Sequence, residues 1–502
     1  MARAELGLIG MEVMGKNLAR NIAGHGRNPQ TEGWHVIAQN RTAEKTHSFL
    51  QEVSSQPEGT NIEGVDTIEQ LVNKVGSTGI YWLMVKENAV DAVTEELLRH
   101  VGSGALIVDG GNSFFMDTIR REETLRKRGI SYIGTGVSGG EEGALKGPAI
   151  MPGGDTNAYN RIEPLLRLIA AKAPQDGKPC VSYIGPNGAG HYVKMVHNAI
   201  EYGDMGLIGE SVWLLKALLG WDSVRVGKEI EKWNAQGNPL QSYLIHITAD
   251  GLQQLNKEGG PLVDVTADIT RMKGTGLWAC QSADELLVPI PTIYSSVQSR
   301  MMSELKDMRL RMAEKAGEPE GYDVIDEERI PSAVHNALYV AKISSYAQGI
   351  ALLQKASEHY SFGLNIGKIA EGWRGGCIIR AQFLDDITKA YASDAPENLI
   401  AAPFFTKAIE MGLGDLLYVS ELAAKAGVPV PVMDASKNWL LQVMSPVLVS
   451  AQVQAQQRDY FGAHGYFRID EHGGLLVNDQ GKLREFHTEW MLRGRPEKEV
   501  TK

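Results

Sequence analysis

The sequence predicts an α/β protein that begins with a doubly wound parallel sheet and continues as a large all-α domain. Short apolar runs alternate with polar helical segments in the first part of the chain, a pattern typical of parallel strands joined by helices. The strands are expected at residues 4–9, 34–38, 80–85, 105–108, 131–133 and 181–184. After about residue 188, the alternation of strands and helices stops. Long helices are expected at residues 191–218, 239–257, 331–357 and 415–427.

These patterns divide the chain into three segments. An α/β domain is expected over residues 1–188, an all-helical domain over residues 189–447, and a C-terminal tail over residues 448–502. A chain of 502 residues is also too long for a single hydrophobic core. The tail starts as a Gln-rich helical stretch and becomes polar and rich in glycine.

The composition argues against several classes of protein. A formal net charge of -11 disfavours a surface for nucleic acid or for an anionic membrane. Cys180, Cys280 and Cys377 form neither a disulfide framework nor a metal motif, so no metal is expected. No apolar run reaches membrane-spanning length. A reducing compartment is therefore expected, the cytoplasm by default, and import into an organelle stays open.

The first strand leads into a glycine turn that is typical of Rossmann-like, dinucleotide-binding domains. Gly10 and Gly15 bracket the turn, and a helix is expected from there to about Ala23. Such a turn presents free backbone N–H groups and a positive helix-dipole end to a pyrophosphate. The middle position of the usual pattern is a small residue, but this chain has Glu12 there. An ordinary strand–helix turn without a nucleotide therefore stays open.

The end of the second strand indicates which dinucleotide is bound. NAD sites place an acidic residue there to accept hydrogen bonds from the ribose hydroxyls. This chain has Asn40, Arg41 and Thr42 instead, with no acid. A guanidinium and a hydroxyl suit a 2′-phosphate, so the pattern favours NADP as the cofactor.

Two later loops are candidates for ligand contact. Asn112 follows a buried strand in Asp109-Gly110-Gly111-Asn112-Ser113, at the sheet edge where such folds bind ligands. The glycine-rich stretch 134–144 contains Ser138, whose hydroxyl and neighbouring N–H groups could hold a carboxylate. A plain tight turn is the alternative for this second loop.

The most informative stretch lies just after the expected domain boundary. Lys194, His197, Asn198, Glu201 and Tyr202 recur at steps of three and four residues, so they share one face of a helix. The residues between them are apolar and face the other way. An amine, an imidazole, an amide and a carboxylate on one face are complementary proton donors and acceptors, which is typical of an active site rather than a solvated surface.

Taken in order, these motifs resemble the decarboxylating, NADP-linked 6-phosphogluconate dehydrogenase family, within the β-hydroxyacid dehydrogenases, over nearly the full chain. The stretches that carry the resemblance are Val13-Met14-Gly15, Asn17-Leu18, Asn40-Arg41-Thr42, Asp109 to Ser113, Gly136 to Ala144, Met151 to Gly154, the Lys194 helix, Lys273 to Gly276 with Trp278, and Arg458 to His464. Single glycine motifs are common, whereas this ordered series is specific.

The resemblance implies a role for each matching position. Lys194 would be the general base and Glu201 the general acid, with His197 and Asn198 positioning the substrate. The other substrate contacts would be Asn112, Ser138, Gly139, Gly140, Tyr202, Lys273, Thr275, Arg300, Arg458 and His464. The cofactor contacts would be Gly10, Val13, Met14, Gly15, Asn40, Arg41, Thr42, Val85, Lys86 and Asn112. The resemblance also implies a homodimer whose tail, with Arg458 and His464, reaches the other subunit's site.

The chemistry sets conditions on the two proton-transfer groups. A lysine that acts as a base near neutrality needs a lowered pKa, which burial and neighbouring cations such as arginines and His197 would provide. Glu201 needs a raised pKa to act as an acid. Glu12 and Glu87 depart from the small residues usual in the family, and both are expected near the cofactor.

Three functions stay in competition on the sequence. The first is oxidative decarboxylation of 6-phosphogluconate to ribulose 5-phosphate, a step of the pentose phosphate shunt. The second is a non-decarboxylating β-hydroxyacid dehydrogenase, which would need neither Glu201 nor a cluster of phosphate-binding cations. The third is a binding or regulatory protein that has lost catalysis through Glu12 and Glu87.

Overall fold

A computed structural model describes residues 5–25, 34–317, 326–392, 395–470 and 472–500. The chain forms two compact units, Met1–Lys437 and Asn438–Lys502. The domain boundaries expected at residues 188 and 447 stay predictions. Within the described residues, no helix is long and apolar enough to cross a membrane.

The first unit begins with a seven-stranded sheet. Its strands are β1 Glu5–Ile9, β2 His35–Gln39, β3 Ile62–Val65, β4 Ile80–Leu83, β5 Leu106–Asp109, β6 Ser131–Ser138 and β7 Ala149–Gly154. Their order across the sheet is β3-β2-β1-β4-β5-β6-β7, and every pair is parallel except β6–β7. The order reverses between β1 and β4, so the doubly wound α/β class is confirmed and the ligand crevice lies at that reversal.

Helices pack on both faces of this sheet. Leu18 and Ile162 belong to the core on one face, and Leu71 and Leu97 belong to the core on the other. The helices of this part are α1 Val13–Gly24, α2 Ala43–Val53, α3 Ile68–Val75, α4 Val90–Leu97, α5 Phe115–Arg126, α6 Gly140–Lys146 and α7 Thr156–Ile169. Strands whose two faces are both covered carry continuous apolar runs, which is why most of them were predictable.

The strand predictions differ from the structure in a few places. Ala4, the expected first residue of β1, lies outside the described residues. The run 181–184 is not a strand, because it makes only an isolated bridge from Val181 to Ile150, and prolines flank it at 179 and 186. Two strands of the seven-stranded sheet were not predicted: β3 contains a glutamate and a glycine, and β7 contains Pro152, which an edge strand tolerates.

The rest of the first unit is helical, as predicted. The helices are α8 Ala189–Leu219, α9 Ser223–Trp233, α10 Tyr243–Gln253, α11 Thr275–Glu285, α12 Pro291–Glu304, α13 Lys306–Ala316, α14 Ile330–His359, α15 Ile366–Gly372, α16 Leu384–Ala390 and α17 Pro403–Lys425. The next helix, α18 Pro431–Val443, begins in the first unit and ends in the second. Helix α8 packs against β6 and β7 at one end and against α14 further along.

Glycines let α8 lie directly on the sheet. A Cβ at Gly136 of β6 would stand 2.4 Å from Lys194 Cβ. A Cβ at Gly190 would stand 2.3 Å from the carbonyl oxygen of Gly134 and 2.4 Å from that of Met151. Side chains are excluded at these positions, so the first turns of α8 are held against the carboxyl half of β6.

The second unit contains α19 Val449–Gly462 and a small antiparallel sheet of β8 Tyr466–Phe467, β9 Glu485–Thr488 and β10 Glu497–Val500. The fully buried Asp459 joins α19 to this sheet. Its carboxylate accepts hydrogen bonds from the Gly465 and Thr488 backbone N–H groups, His487 Nδ1 and Trp490 Nε1, at 2.7–3.0 Å. These bonds lower the pKa of Asp459.

Candidate active site

The predicted catalytic face of α8 is buried rather than solvated. Lys194 is 6% exposed, and its Nζ donates a hydrogen bond of 2.8 Å to Asn198 Oδ1. The side-chain amide of Asn198 donates in turn to Thr275 Oγ1, on the first turn of α11, at 3.4 Å. The amine is therefore held by an amide whose other end is fixed by a different helix.

His197 links this face to the sheet. It is fully buried, with Nδ1 3.1 Å from Asn198 Oδ1 and Nε2 3.3 Å from the Ser138 hydroxyl at the end of β6. Because the amide oxygen only accepts, Nδ1 carries the proton, and Nε2 accepts from Ser138. The Trp373 ring packs edge-on to the imidazole, with centroids 5.5 Å apart. The two hydrogen bonds thus fix one tautomer of His197, and the Trp373 ring helps to fix the orientation of the imidazole.

Glu201 lies two turns after Lys194 and keeps a path to solvent. Its side chain is 22% exposed, and Oε2 is 3.9 Å from His197 Nδ1. Next to it, the Arg300 guanidinium stacks on the Tyr202 ring, 3.6 Å from the centroid, and donates to Met205 Sδ. The guanidinium therefore approaches the catalytic face from α12.

Burial shifts the pKa of each titratable group here in the direction that its expected role needs. It lowers the pKa of Lys194 against the opposing effect of Glu201, and it raises the pKa of Glu201 against Lys194 and Arg300. The sequence-based reason for Lys194 needs one correction. Burial and the lysine hold the pKa of His197 well below its ordinary value, so His197 is neutral and does not act as a neighbouring cation.

The two predicted substrate loops lie at the carboxyl edge of the sheet. Ser138 is buried, and Gly139 has φ +139°, with a would-be Cβ 2.5 Å from the Gly376 carbonyl oxygen, so only glycine fits there. Gly140 begins α6. In the other loop, Asn112 is exposed and free to face a ligand.

A buried carboxylate shapes the Asn112 loop. Asp109 accepts hydrogen bonds from the Gly111 backbone N–H, the Ser113 hydroxyl and the Tyr132 hydroxyl, at 2.6–3.1 Å. These three bonds fix the loop conformation from beneath. Sequence reasoning placed Asp109 in a motif and gave it no role.

The glycine turn after β1 has the features expected of a dinucleotide site. Gly10 has φ +108°, and a Cβ at Gly15 would stand 1.8 Å from the carbonyl oxygen of Gly10. Helix α1 begins at Val13, followed by Met14, and its N-cap residue Glu12 makes no capping hydrogen bond. The first-turn N–H groups are therefore not bonded by a side-chain cap.

The end of β2 packs against this turn. Asn40 Oδ1 accepts a hydrogen bond of 3.1 Å from the Met11 backbone N–H, which ties the two segments together. Arg41 and Thr42 are exposed beside it, at the start of α2. The structure thus brings the predicted pyrophosphate and 2′-phosphate contacts to one edge of the sheet.

Comparison with known proteins decides the family. Residues 5–185 match the model of the NAD binding domain of 6-phosphogluconate dehydrogenase, and residues 190–490 match that of its C-terminal domain. The chain belongs to the 6-phosphogluconate dehydrogenase family. The resemblance found in the sequence is therefore confirmed.

Individual relatives are similar to this chain over nearly its whole length. The NADP(+)-dependent, decarboxylating 6-phosphogluconate dehydrogenase of Bacillus subtilis is 45% identical over 98% of this chain and 100% of its own length. The decarboxylating enzyme of Escherichia coli K12 is 44% identical over the same shares. The Plasmodium falciparum 6-phosphogluconate dehydrogenase structure, described in apo form and with NADP+ or 6-phosphogluconate, has a TM-score of 0.87 and 37% identity, covering 95% of this chain and 100% of that one.

The two departures from the family pattern differ in their surroundings. Glu12 is exposed and pairs with Lys45 of α2, and Lys45, Lys86 and Lys16 lower its pKa. Its charge is therefore partly offset by cations at the same edge. Glu87, after Val85 and Lys86, is half-buried, and burial raises its pKa.

The predicted phosphate-binding residues are divided between the two units. Thr275 is buried at the start of α11, and Lys273 is exposed in the preceding turn. Arg458 and His464 belong to the second unit, where both are exposed, and His464 packs edge-on to Phe461. The convergence of Lys273, Arg300 and Arg458 on one phosphate stays a prediction.

Sequence reasoning missed several residues around the site. Lys45 could have been found, because it stands only four residues after Arg41, in the first turn of α2. Trp373 and the buried pair of Asp204 and Lys342 gave no usable signal, because their partners are far away in sequence. Within the described ranges, no group of three or more His, Cys, Asp or Glu side chains could hold a metal ion.

Proposed function

We propose that this chain catalyses the NADP-dependent oxidative decarboxylation of 6-phospho-D-gluconate to D-ribulose 5-phosphate and carbon dioxide. The observation that carries this proposal is the pairing, on one buried helix face, of an amine with a lowered pKa and a carboxyl with a raised pKa. The family relatives named above support the substrate and the cofactor.

The cofactor edge fits NADP. The uncapped N-terminus of α1 suits a pyrophosphate, and the exposed Arg41 and Thr42 suit a 2′-phosphate. Lys45 and Lys86 add positive charge and offset Glu12. When bound, NADP accepts the hydride that leaves the substrate carbon bearing the hydroxyl.

Lys194 acts first as a base and then as an acid. The neutral amine removes the hydroxyl proton as the hydride leaves, and the product is a 3-keto acid. The resulting ammonium donates to the ketone oxygen while the bond to the carboxylate breaks. Carbon dioxide departs, its bonding electrons remain as an enolate, and Lys194 returns the proton to give an enediol.

Glu201 completes the reaction. The enediol needs a proton on carbon 1 while its hydroxyl proton is removed, and the protonated Glu201 and the neutral Lys194 do these two tasks. The sum is one proton moved from Glu201 to Lys194. Both residues lie on one face of α8, and the return of this proton from Lys194 to Glu201 restores the starting state.

The direct test supplies purified protein with 6-phosphogluconate and either NADP or NAD. Reduced cofactor and carbon dioxide are expected in equal amounts, with NADP preferred. Reduced cofactor without carbon dioxide would support the non-decarboxylating β-hydroxyacid dehydrogenase. Binding of the sugar phosphate with no cofactor binding would support a protein that has lost catalysis.

The cofactor assignment predicts that Arg41→Ala weakens NADP much more than NAD. Removing one charged hydrogen-bonding partner is expected to cost about 1.5–3 kcal/mol, or roughly 10- to 150-fold in NADP affinity. Titration calorimetry with both cofactors measures this difference. The exposed Arg128, in the turn after α5, gives a matched control as Arg128→Ala. Equal losses for NADP and NAD would contradict a 2′-phosphate contact.

The proposed assembly is a homodimer in which Arg458 and His464 of the tail complete the other subunit's site. A mixture of Lys194→Met and Arg458→Ala subunits, each inactive alone, is then expected to recover activity after co-refolding. One site of each mixed dimer carries both changes and the other carries neither. No recovery in mixed dimers isolated by two affinity tags would count against the shared site. The proposed location is the cytoplasm, consistent with three free, buried cysteines.

A further inference from the structure

A buried ion pair joins α8 to α14 about one helical turn beyond Glu201. Lys342 Nζ, on α14, donates a hydrogen bond of 2.6 Å to Asp204 Oδ2, on α8. The two side chains are 0% and 1% exposed. The ammonium also lies 5.9 Å from the Phe383 ring centroid and 6.0 Å from that of Tyr346.

This pair is poorly explained as a device for stability. Taking two charges out of water costs free energy that their mutual attraction returns only when every polar atom is bonded. Asp204 Oδ1 is buried and accepts no well-aligned hydrogen bond within the described part of the chain, because the neighbouring Tyr346 hydroxyl donates to the Ile379 carbonyl oxygen at 2.9 Å. An apolar pair of similar volume would pack at least as well. The two charges are better explained by their electrostatic effect on a neighbouring titratable group.

Of the two residues with an expected proton-transfer role, Lys194 and Glu201, Glu201 is the nearer to Asp204 along α8. It stands three residues before Asp204, so the two carboxyl groups share one face of α8. The groups that face Glu201 come from three helices: Lys194, His197 and Asp204 of α8, Arg300 of α12, and Tyr346 of α14, with Lys342 behind Asp204. Lys194 and Arg300 favour the ionised form of Glu201, whereas burial and Asp204 oppose it.

We propose that the pair of Asp204 and Lys342 is a positioning element that keeps Glu201 protonated for its transfer to carbon. Asp204 supplies the negative charge that offsets Lys194 and Arg300. Burial raises the pKa of Asp204, and the Lys342 ammonium opposes that effect, so Lys342 both holds the carboxylate in place and favours its ionised form. This inference rests on the proposed role of Glu201 as the acid.

Asp204→Asn tests the charge with little change in shape. An acid works only while protonated, so activity falls as pH rises through its pKa. Without the Asp204 charge that pKa is lower, so the alkaline limb of the kcat–pH profile is expected to move to lower pH by roughly one unit. KM for 6-phosphogluconate and Kd for NADP are expected to stay unchanged. The infrared band of protonated Glu201, assigned by difference with Glu201→Gln, is expected to titrate earlier by the same amount.

The double variant Asp204→Asn/Lys342→Met guards against loss of the fold. Lys342→Met alone would leave a buried carboxylate without its cation, which is strongly destabilising, whereas the double variant leaves no charge unpaired. The double variant is expected to move the alkaline limb in the same direction as Asp204→Asn but by less, because it also removes the Lys342 cation.

The matched control is Asp415→Asn. Asp415 of α17 accepts from Arg329 at 3.0 Å and from Asn336 of α14 at 2.8 Å, so it also anchors α14 but lies outside the groups that face Glu201. It is expected to lower the melting temperature without moving the pH limb. An unmoved limb and infrared titration in the Asp204 variants would overturn the positioning role. An alkaline limb that persists in Glu201→Gln would instead overturn the role of Glu201 itself.

Discussion

Lys194→Met is expected to lower kcat by roughly a thousandfold or more, because in the proposed mechanism the same amine serves as the base in oxidation and as the acid in decarboxylation. Methionine has a similar length and no charge, so the buried site keeps its packing. NADP binding is expected to be nearly unchanged, since the predicted cofactor contacts lie at the start of α1 and after β1, β2, β4 and β5, not on α8. Stopped-flow kinetics and titration calorimetry measure the two effects separately.

The control for this prediction is an exposed lysine. Lys127, the C-cap residue of α5, pairs with Glu123 at 3.1 Å on the surface, so Lys127→Met removes a similar charge far from the chemistry. It is expected to leave kcat unchanged. Oxidation at the unaltered rate in Lys194→Met would remove Lys194 from the mechanism.

The second large effect is expected for Glu201→Gln. Glutamine keeps the shape and the hydrogen bonding of the carboxyl group but has no proton to give, so kcat is expected to fall by about a hundredfold or more. Protonation of carbon 1 then becomes the slow step. A larger solvent deuterium isotope effect on kcat, and slower entry of solvent deuterium at carbon 1 of ribulose 5-phosphate, would measure this change.

The pH profile gives an independent check on both residues. Lys194 must be neutral at the start, so activity rises as pH rises through its lowered pKa. Glu201 must be protonated, so activity falls as pH rises through its raised pKa. The alkaline limb is expected to disappear in Glu201→Gln and to persist in the surface control Glu123→Gln. Retention of that limb in both variants would assign the acid to another group.

Local spacing explains how much of the site was predictable. Lys194, Asn198 and Glu201 share a helix face by periodicity alone, and the structure confirms that they lie together. Gly10 and Gly15 were predictable because only glycine tolerates a positive φ or a 1.8 Å approach of backbone oxygen. The Arg41 position followed from strand and turn order.

Contacts between distant segments could not be predicted from the sequence. His197 bonds Ser138, 59 residues away, and Lys342 bonds Asp204, 138 residues away. The same limit applies to the neutral state of His197, which the sequence analysis had counted as a cation. Desolvation sets that state, and desolvation depends on how completely the helices and the sheet enclose the side chain.

The sequence by itself determined the α/β and helical parts, the family, the cofactor class and the set of chemical groups on α8. These properties depend on periodicity, turn chemistry and residue type, which a linear chain carries. The tertiary structure alone decided the edge strands β3 and β7, the pairing of Glu12 with Lys45, and the charges buried behind Glu201. Each of these depends on which surfaces exclude water when distant segments pack. The same burial lowers the pKa of Lys194 and raises the pKa of Glu201, and residue type alone does neither.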